Sequence, residues 1–238
     1  MTLDPIYVKC THCGAYSYFL DAVSGNTFGA EFWSDGFVFG SMLPNALSLI
    51  KCFSCNNYFW TDHPSERIYD WDFDKIRLTG VKYTDEKFEF DPFEPSQAIL
   101  FYKEAIEQGV AQNKEQEFYL RLKLWQSIND ITRYEYIHAP TSVYYFFRWL
   151  ILRFKEVNLS KEVDKFRNLN RENLKQFDEL LSTQPDDLTL KVEVYRHLGN
   201  FDEAARCLKK IPRNSDTNSF IRKQKCLILL RNKQVFKY

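Results

Sequence analysis

The pattern of apolar and polar positions changes its period near residue 95. Before it, apolar residues come in short aromatic runs such as "YSYF", "EFW", "FVFG" and "NNYFW", divided by "SGNTFG" and "SDG". Short runs broken by Gly, Asn and Asp are strand-and-turn patterning, so residues 7–60 are expected to be β. The Asp35-Gly36 pair between "EFW" and "FVFG" predicts a hairpin, because glycine accepts the positive φ of a tight turn. After residue 95 the spacing becomes helical: Ser96 is placed to cap a helix through "QAILFYKEAIEQ". Further helices are expected at 117–134, 142–157, 161–182, 187–198, 201–210 and 219–235. Breaks fall at "HAPTS", "TQPDD", "GN" and "IPRNSDTN". Seven helices in antiparallel hairpins would form a bundle or a solenoid.

Between these regions, residues 62–95 hold ten acidic and five basic residues, three prolines and many aromatic rings. Trp71, Phe73, Phe88, Phe90 and Phe93 are too many for a free coil, so this stretch is expected to lie against the helices. The fold class is therefore α+β, in three parts: a small β-rich domain over 1–62, an acidic aromatic linker over 63–94, and a helical domain over 95–238.

The cysteines carry the chemistry. Cys10 and Cys13 form one CxxC, Cys52 and Cys55 another, with 38 residues between the pairs. Two residues between thiols permit a tight turn that aims both sulfurs at one ion, and two such turns complete a tetrahedron suited to Zn²⁺. Both pairs follow a lysine (Lys9, Lys51) and run into strand-like residues, and the arrangement resembles a zinc ribbon. Its gap exceeds the usual 15–20 or so residues, which implies an inserted hairpin around "AEFWSDGFVFG". The zinc is expected to be structural, since four cysteines leave no position for water. His12 has poorer ligand spacing, and His63 reads as a turn residue. Neither pair has the strand-to-helix setting of a redox dithiol, and Cys207 and Cys226 read as buried small hydrophobes.

The stretch "VEVYRHLGNFDEAARCLKKIP" resembles a tetratricopeptide repeat, with Tyr195, Gly199, Phe201, Ala204, Leu208, Ile211 and Pro212 at that family's spacing. The resemblance implies a helical array whose inner face binds other chains. The Ala204, Leu208, Ile211 spacing recurs at Ala98, Tyr102, Ala105, at Val143, Phe147, Leu150 and loosely at Asn173, Phe177, Leu180. Any amphipathic helix produces such spacing, so a plain bundle stays open. The N-terminal pattern, with "SGNTFGAEFWSDG" and "MLPNALSLIKC", also resembles the zinc-ribbon segment of uncharacterised bacterial proteins that join it to a tetratricopeptide-like tail. That resemblance brings no established activity.

Composition narrows the function classes. Aromatic residues make up 17% of the chain, which argues against wholesale disorder. Formal charge is zero overall, yet residues 1–150 hold 13 basic against 20 acidic residues and the remainder 19 against 12. From residue 220 to the end there are six Lys or Arg and no acid, with "CLILL" expected as the buried face; the segment reads as a terminal cap helix or, alternatively, as a docking surface for an acidic partner. Residues 1–61 contain two cations and four acids, too few cations for a phosphate footprint, so nucleic acid is disfavoured as a partner. No signal-type run precedes Cys10, and "VYYFFRWLIL" is about half a bilayer span with Arg148 inside it, so a cytoplasmic address without membrane contact is expected. No nucleophile motif, phosphate loop or HExxH is present. The leading expectation is a non-enzymatic zinc-binding adaptor for an unidentified protein partner, and the alternative is a nucleic-acid-binding zinc ribbon.

Overall fold

The structure, a computed structural model, describes residues 2–40, 43, 48–61, 67–69, 83–84, 95–137, 145–183, 187–233 and 235–237. The chain divides into two compact units, residues 1–31 with 38–90, and residues 32–37 with 91–238. The layout is α+β: small strand hairpins precede a helical region.

In the first unit, β1 (Thr2–Lys9) and β2 (Tyr16–Ser24) form an antiparallel hairpin in which Lys9 faces Tyr16. Two two-residue strands, β3 (Glu31–Phe32) and β4 (Val38–Phe39), pair with each other. A second three-residue hairpin joins β5 (Leu49–Lys51) to β6 (Tyr58–Trp60), with Lys51 facing Tyr58. The strands β7 (Arg67–Tyr69) and β8 (Tyr83–Thr84) flank β1 and β2 in the order β7-β1-β2-β8. These last two strands revise the expected linker. Each pairs its backbone with an edge of the first hairpin, which makes residues 67–69 and 83–84 of the expected linker sheet strands. Its rings Trp71, Phe73, Phe88, Phe90 and Phe93 lie outside the described residues.

The second unit contains α1 (Pro95–Glu107), α2 (Lys114–Ile137), α3 (Tyr145–Ser182), α4 (Leu188–Leu198), α5 (Phe201–Leu208) and α6 (Ser215–Leu229). Each helix packs on the next in chain order. The helices expected at 142–157 and 161–182 are one continuous helix, α3, because residues 145–183 contain neither proline nor glycine to break it. The last helix begins at Ser215, four residues earlier than expected. Asn214 and Thr217 close a reciprocal capping box there, which satisfies amides that would otherwise be orphaned. The buried face of this helix is Phe220, Ile221 and Gln224, and of "CLILL" only Ile228 packs against the same cluster. Leu229 and Leu230 are 83% and 70% exposed; Cys207 is half-buried and packs on the apolar cluster as expected, whereas Cys226 is exposed and is not the buried hydrophobe expected.

Two apolar clusters hold this unit together. Trp125, Leu174, Phe177, Leu181, Leu190 and Val194 join α2, α3 and α4. Val192, Ala204, Leu208, Ile211, Phe220 and Ile221 join α4, α5 and α6, and the α4–α5 turn passes through Gly199 in the left-handed conformation.

The expected Asp35-Gly36 turn is present, with Gly36 at φ +76°. Its tip, residues 32–37, belongs to the helical unit. Trp33, Asp35 and Phe37 alternate along it, and all three converge on the fully buried Arg133 of α2. Asp35 makes a short ion pair with the guanidinium, whose centre lies 4.0 Å from the Phe37 ring centroid and 5.0 Å from that of Trp33. Asn129 donates to the Asp35 carboxylate at 2.8 Å and Gln126 to its carbonyl at 3.1 Å. Gln126, Asn129, Asp130 and Arg133 are one helical face, spaced i, i+3, i+4 and i+7. The C-terminal residues close over the tip: Ser34 donates its amide to the Phe236 carbonyl at 2.9 Å, and the Phe236 amide donates to Ser34 Oγ at 3.1 Å. A second buried node lies beside it, where Glu193 accepts from Arg196, Gln224 and Ser34.

Asp130 ties this network to pH. Burial pushes its carboxyl up to about 6, although Arg133, 2.6 Å away, pulls it down. A carboxyl raised in the folded state contributes stability below its ordinary value near 3.8, and that contribution is lost as pH rises through about 6. The stability of the helical unit should therefore fall by up to about 3 kcal/mol between those limits, at 1.36 kcal/mol per pKa unit. Thermal melts of Asp130→Asn across this window should show a smaller decline, because burial also raises the Glu193 and Asp178 carboxyls of this unit; a variant with an undiminished decline would show that those carboxyls are responsible.

Candidate metal centre

Each CxxC occupies the turn of a hairpin, and the two turns have the same local construction. In the β1–β2 turn the Cys10 amide donates to the Ala15 carbonyl at 2.8 Å and the Gly14 amide to the Cys10 carbonyl at 3.0 Å. In the β5–β6 turn the Cys52 amide donates to the Asn57 carbonyl and the Asn56 amide to the Cys52 carbonyl, both at 2.9 Å. The residue after each second cysteine must adopt positive φ: Gly14 at +74° and Asn56 at +57°. Glycine and asparagine are the residues that enter this region most readily, which explains their use at equivalent places in two different sequences. Both lysines repeat as well, with Lys9 Nζ 5.9 Å from the Tyr16 ring centroid and Lys51 Nζ 5.1 Å from that of Tyr58.

These turns bring all four expected ligand sulfurs together. Cys10 and Cys55 Sγ are 3.8 Å apart, Cys13 and Cys52 Sγ 3.6 Å, and all four fall within 4.8 Å of one another. A tetrahedron with metal–sulfur bonds of about 2.3 Å has edges of about 3.8 Å. A disulfide would need about 2.05 Å, so the four are free thiols spaced to hold a metal ion. The separation in sequence is large, and the short contacts cross between the turns, the first cysteine of each lying against the second of the other. Cys10 and Cys52 are buried in one apolar cluster with Ile6, Val8, Ala15, Ile50 and Phe59. Cys13 is exposed and Cys55 half-buried, so the group sits at the rim of that core.

The environment is arranged around sulfur charge. Burial pushes the Cys10 thiol up to about 12 and raises Cys52, while amides of the same turns donate to both sulfurs and favour the thiolate. At Cys13 the Ala15 amide hydrogen bond dominates and brings the thiol down to about 7. The Ser54 amide lies 3.4 Å from Cys52 Sγ. A dication among the four sulfurs would replace their protons and supply the charge that burial withholds, which makes metal uptake proton-linked.

The histidines contribute no ligand among the described residues. His12 is exposed, with Nε2 3.1 Å from the Tyr58 carbonyl across the two turns. His197 is buried edge-on against Trp125, and burial holds its imidazole well below the usual value. His63 and His138 lie outside the described residues. Sequence patterning missed the Arg133 cluster: it marks the Asp35-Gly36 turn and its aromatic flanks, but nothing local connects that turn to a cation 98 residues away. No helix among the described residues is long and apolar enough to cross a membrane. Comparison of the chain with protein-family models, curated proteins and solved structures gives no match.

Proposed function

We propose that the chain is a non-enzymatic zinc-binding adaptor, in which Zn²⁺ on Cys10, Cys13, Cys52 and Cys55 staples the N-terminal unit and the helical region binds a partner protein. The all-sulfur donor set at tetrahedral spacing carries the zinc reading: soft thiolates select zinc over magnesium or calcium. A structural role fits it, because four protein donors complete the coordination sphere and two of them are also core residues. Consecutive helix packing, the Gly199 turn and the small buried Ala204 support a tetratricopeptide-like arrangement of the helices. The sides of α2 and α4 around Asp35 are filled by the chain's own residues 33–37, so a partner would use other faces of the helices. The nucleic-acid alternative draws on the 85%-exposed Phe28, but residues 1–61 bring only two cations to it.

The test has two readouts on the full chain. Cobalt(II) in place of the native metal should give the intense thiolate charge-transfer and tetrahedral d–d bands of a four-sulfur site, unchanged by added azide or cyanate. A spectrum that shifts with these anions would mean an open position and would end the structural assignment. Cross-linking mass spectrometry should map a stoichiometric protein partner onto residues 95–238, and a partner mapped elsewhere would refute the adaptor role of the helices.

A further inference from the structure

The outer side of α6 differs from the rest of the helical unit. Asn218, Arg222, Lys225 and Leu229 are spaced i, i+4, i+7 and i+11 and so form one stripe along the helix. All four are exposed, and the stripe is about 17 Å long at ~1.5 Å per residue. Arg213, in the turn before the helix, joins Asn218, Arg222 and Lys225 around a shallow open depression with Ile221 as its floor. Ile221 is only 6% exposed, which gives the depression an apolar base under a cationic rim. Among the described residues, Arg213, Arg222 and Lys225 enter no ion pair, whereas the exposed Arg206 of α5 is paired with Glu203. Leu229 stands 83% exposed at the far end. Three cations without an ion pair among the described residues, beside two aliphatic side chains, form a surface that is complementary to something both acidic and apolar.

We infer that this stripe of α6 docks an extended acidic peptide segment of about five residues, carboxylates against Arg213, Arg222 and Lys225 and a large aliphatic side chain against Leu229. The length follows from the stripe, since an extended chain advances roughly 3.3–3.6 Å per residue. The charge follows from the rim, where carboxylates would meet three cations that enter no ion pair among the described residues. An acidic peptide suits the surface better than a nucleic acid, which would require cations along a longer track and has no use for an isolated leucine. The inference rests on the reading of the helical region as a partner-binding surface and names the chemistry of that partner.

The experiment is fluorescence anisotropy of the full zinc-loaded chain with a labelled pentapeptide DEEDL, whose leucine is terminal as Leu229 is on the stripe, and its neutral counterpart NQQNL. DEEDL should bind, weaken as salt is raised, and exceed NQQNL. The double variant Arg222→Glu, Lys225→Glu should weaken DEEDL binding by roughly tenfold or more, since like charges then face each other. Leu229→Ser should weaken it without changing the salt dependence. Both substitutions are at exposed sites, and an unchanged far-UV spectrum confirms folding. DEEDL binding that survives the charge reversal overturns the assignment to α6, as does equal binding of NQQNL or no binding of either peptide. A single-stranded oligonucleotide that outcompetes DEEDL overturns it in favour of a polyanion site. A stoichiometric partner cross-linked to helices other than α6 would likewise overturn it while leaving the adaptor reading standing.

Discussion

Replacing Cys52 by serine is expected to abolish metal binding and unfold the N-terminal unit while the helical signal persists. Cys52 has two roles that one substitution removes together: it is a sulfur of the four-thiol group, and it is fully buried among Ile6, Val8, Ile50 and Phe59. The hairpin whose turn it opens is short, with only three residues in each of β5 and β6. Hairpins of that size are marginal alone. A structural zinc supplies roughly 10–16 kcal/mol of apparent free energy, comparable to the whole stability of a typical domain at about 5–15 kcal/mol. Metal content per chain by atomic absorption, with far-UV and near-UV circular dichroism, reads both consequences. Cys13→Ser separates them, because Cys13 is exposed and contributes a ligand without packing into the core. It should lose the metal and leave a less disrupted metal-free state than Cys52→Ser. An unchanged metal stoichiometry in Cys52→Ser would sink the site.

Asp35→Ala is the second large effect, and it falls on the helical unit although the residue sits among strands in the sequence. Arg133 and Asp35 are both fully buried, and the carboxylate also accepts from Asn129. Removing it leaves a guanidinium without its fully buried counterion, with Asp130 at the edge as its remaining carboxylate partner. Breaking a buried pair on one side typically costs about 3–5 kcal/mol. At roughly 2–4 °C per kcal/mol for a unit of this size, the melting temperature of the helices should drop by roughly 6–20 °C. The double variant Asp35→Ala, Arg133→Met should recover part of the loss, because it removes the stranded charge with the carboxylate. A drop below about 2 °C in Asp35→Ala, or no recovery in the double variant, would show that the pair contributes little.

The two cysteine pairs illustrate how a site becomes legible from sequence. A CxxC turn is a local object whose geometry depends on a few consecutive residues, and Gly14 and Asn56 supply the positive φ that each turn requires. The two-residue spacing therefore identified all four sulfurs that the structure brings within 4.8 Å. The Asp35-Gly36 turn and the Gly199 helix break were legible for the same reason. Errors arose where one rule had two outcomes. "CLILL" reads as a buried face, but five consecutive helical residues span more than one full turn, so only part of the run can face a core; Ile228 packs on it and Leu229 and Leu230 stay exposed. The run from 145 to 182 contains polar residues able to cap a helix, yet nothing in it forces a break, and the chain continues as one helix.

What the sequence by itself determined is what short-range stereochemistry controls: an α+β chain, hairpins at the CxxC turns, most of the helix ends, and a four-thiol donor set. Tertiary structure alone decided the partners. It stacked Cys10 against Cys55 and Cys13 against Cys52, added β7 and β8 to the first hairpin, and inserted residues 32–37 among the helices. The physical reason is that Asp35 and Arg133 are 98 residues apart, and nothing local marks one carboxylate among 32 acids as the one to be buried. Only the closing of a core around that pair, excluding water and leaving each charge no other counterpart of equal depth, makes the choice.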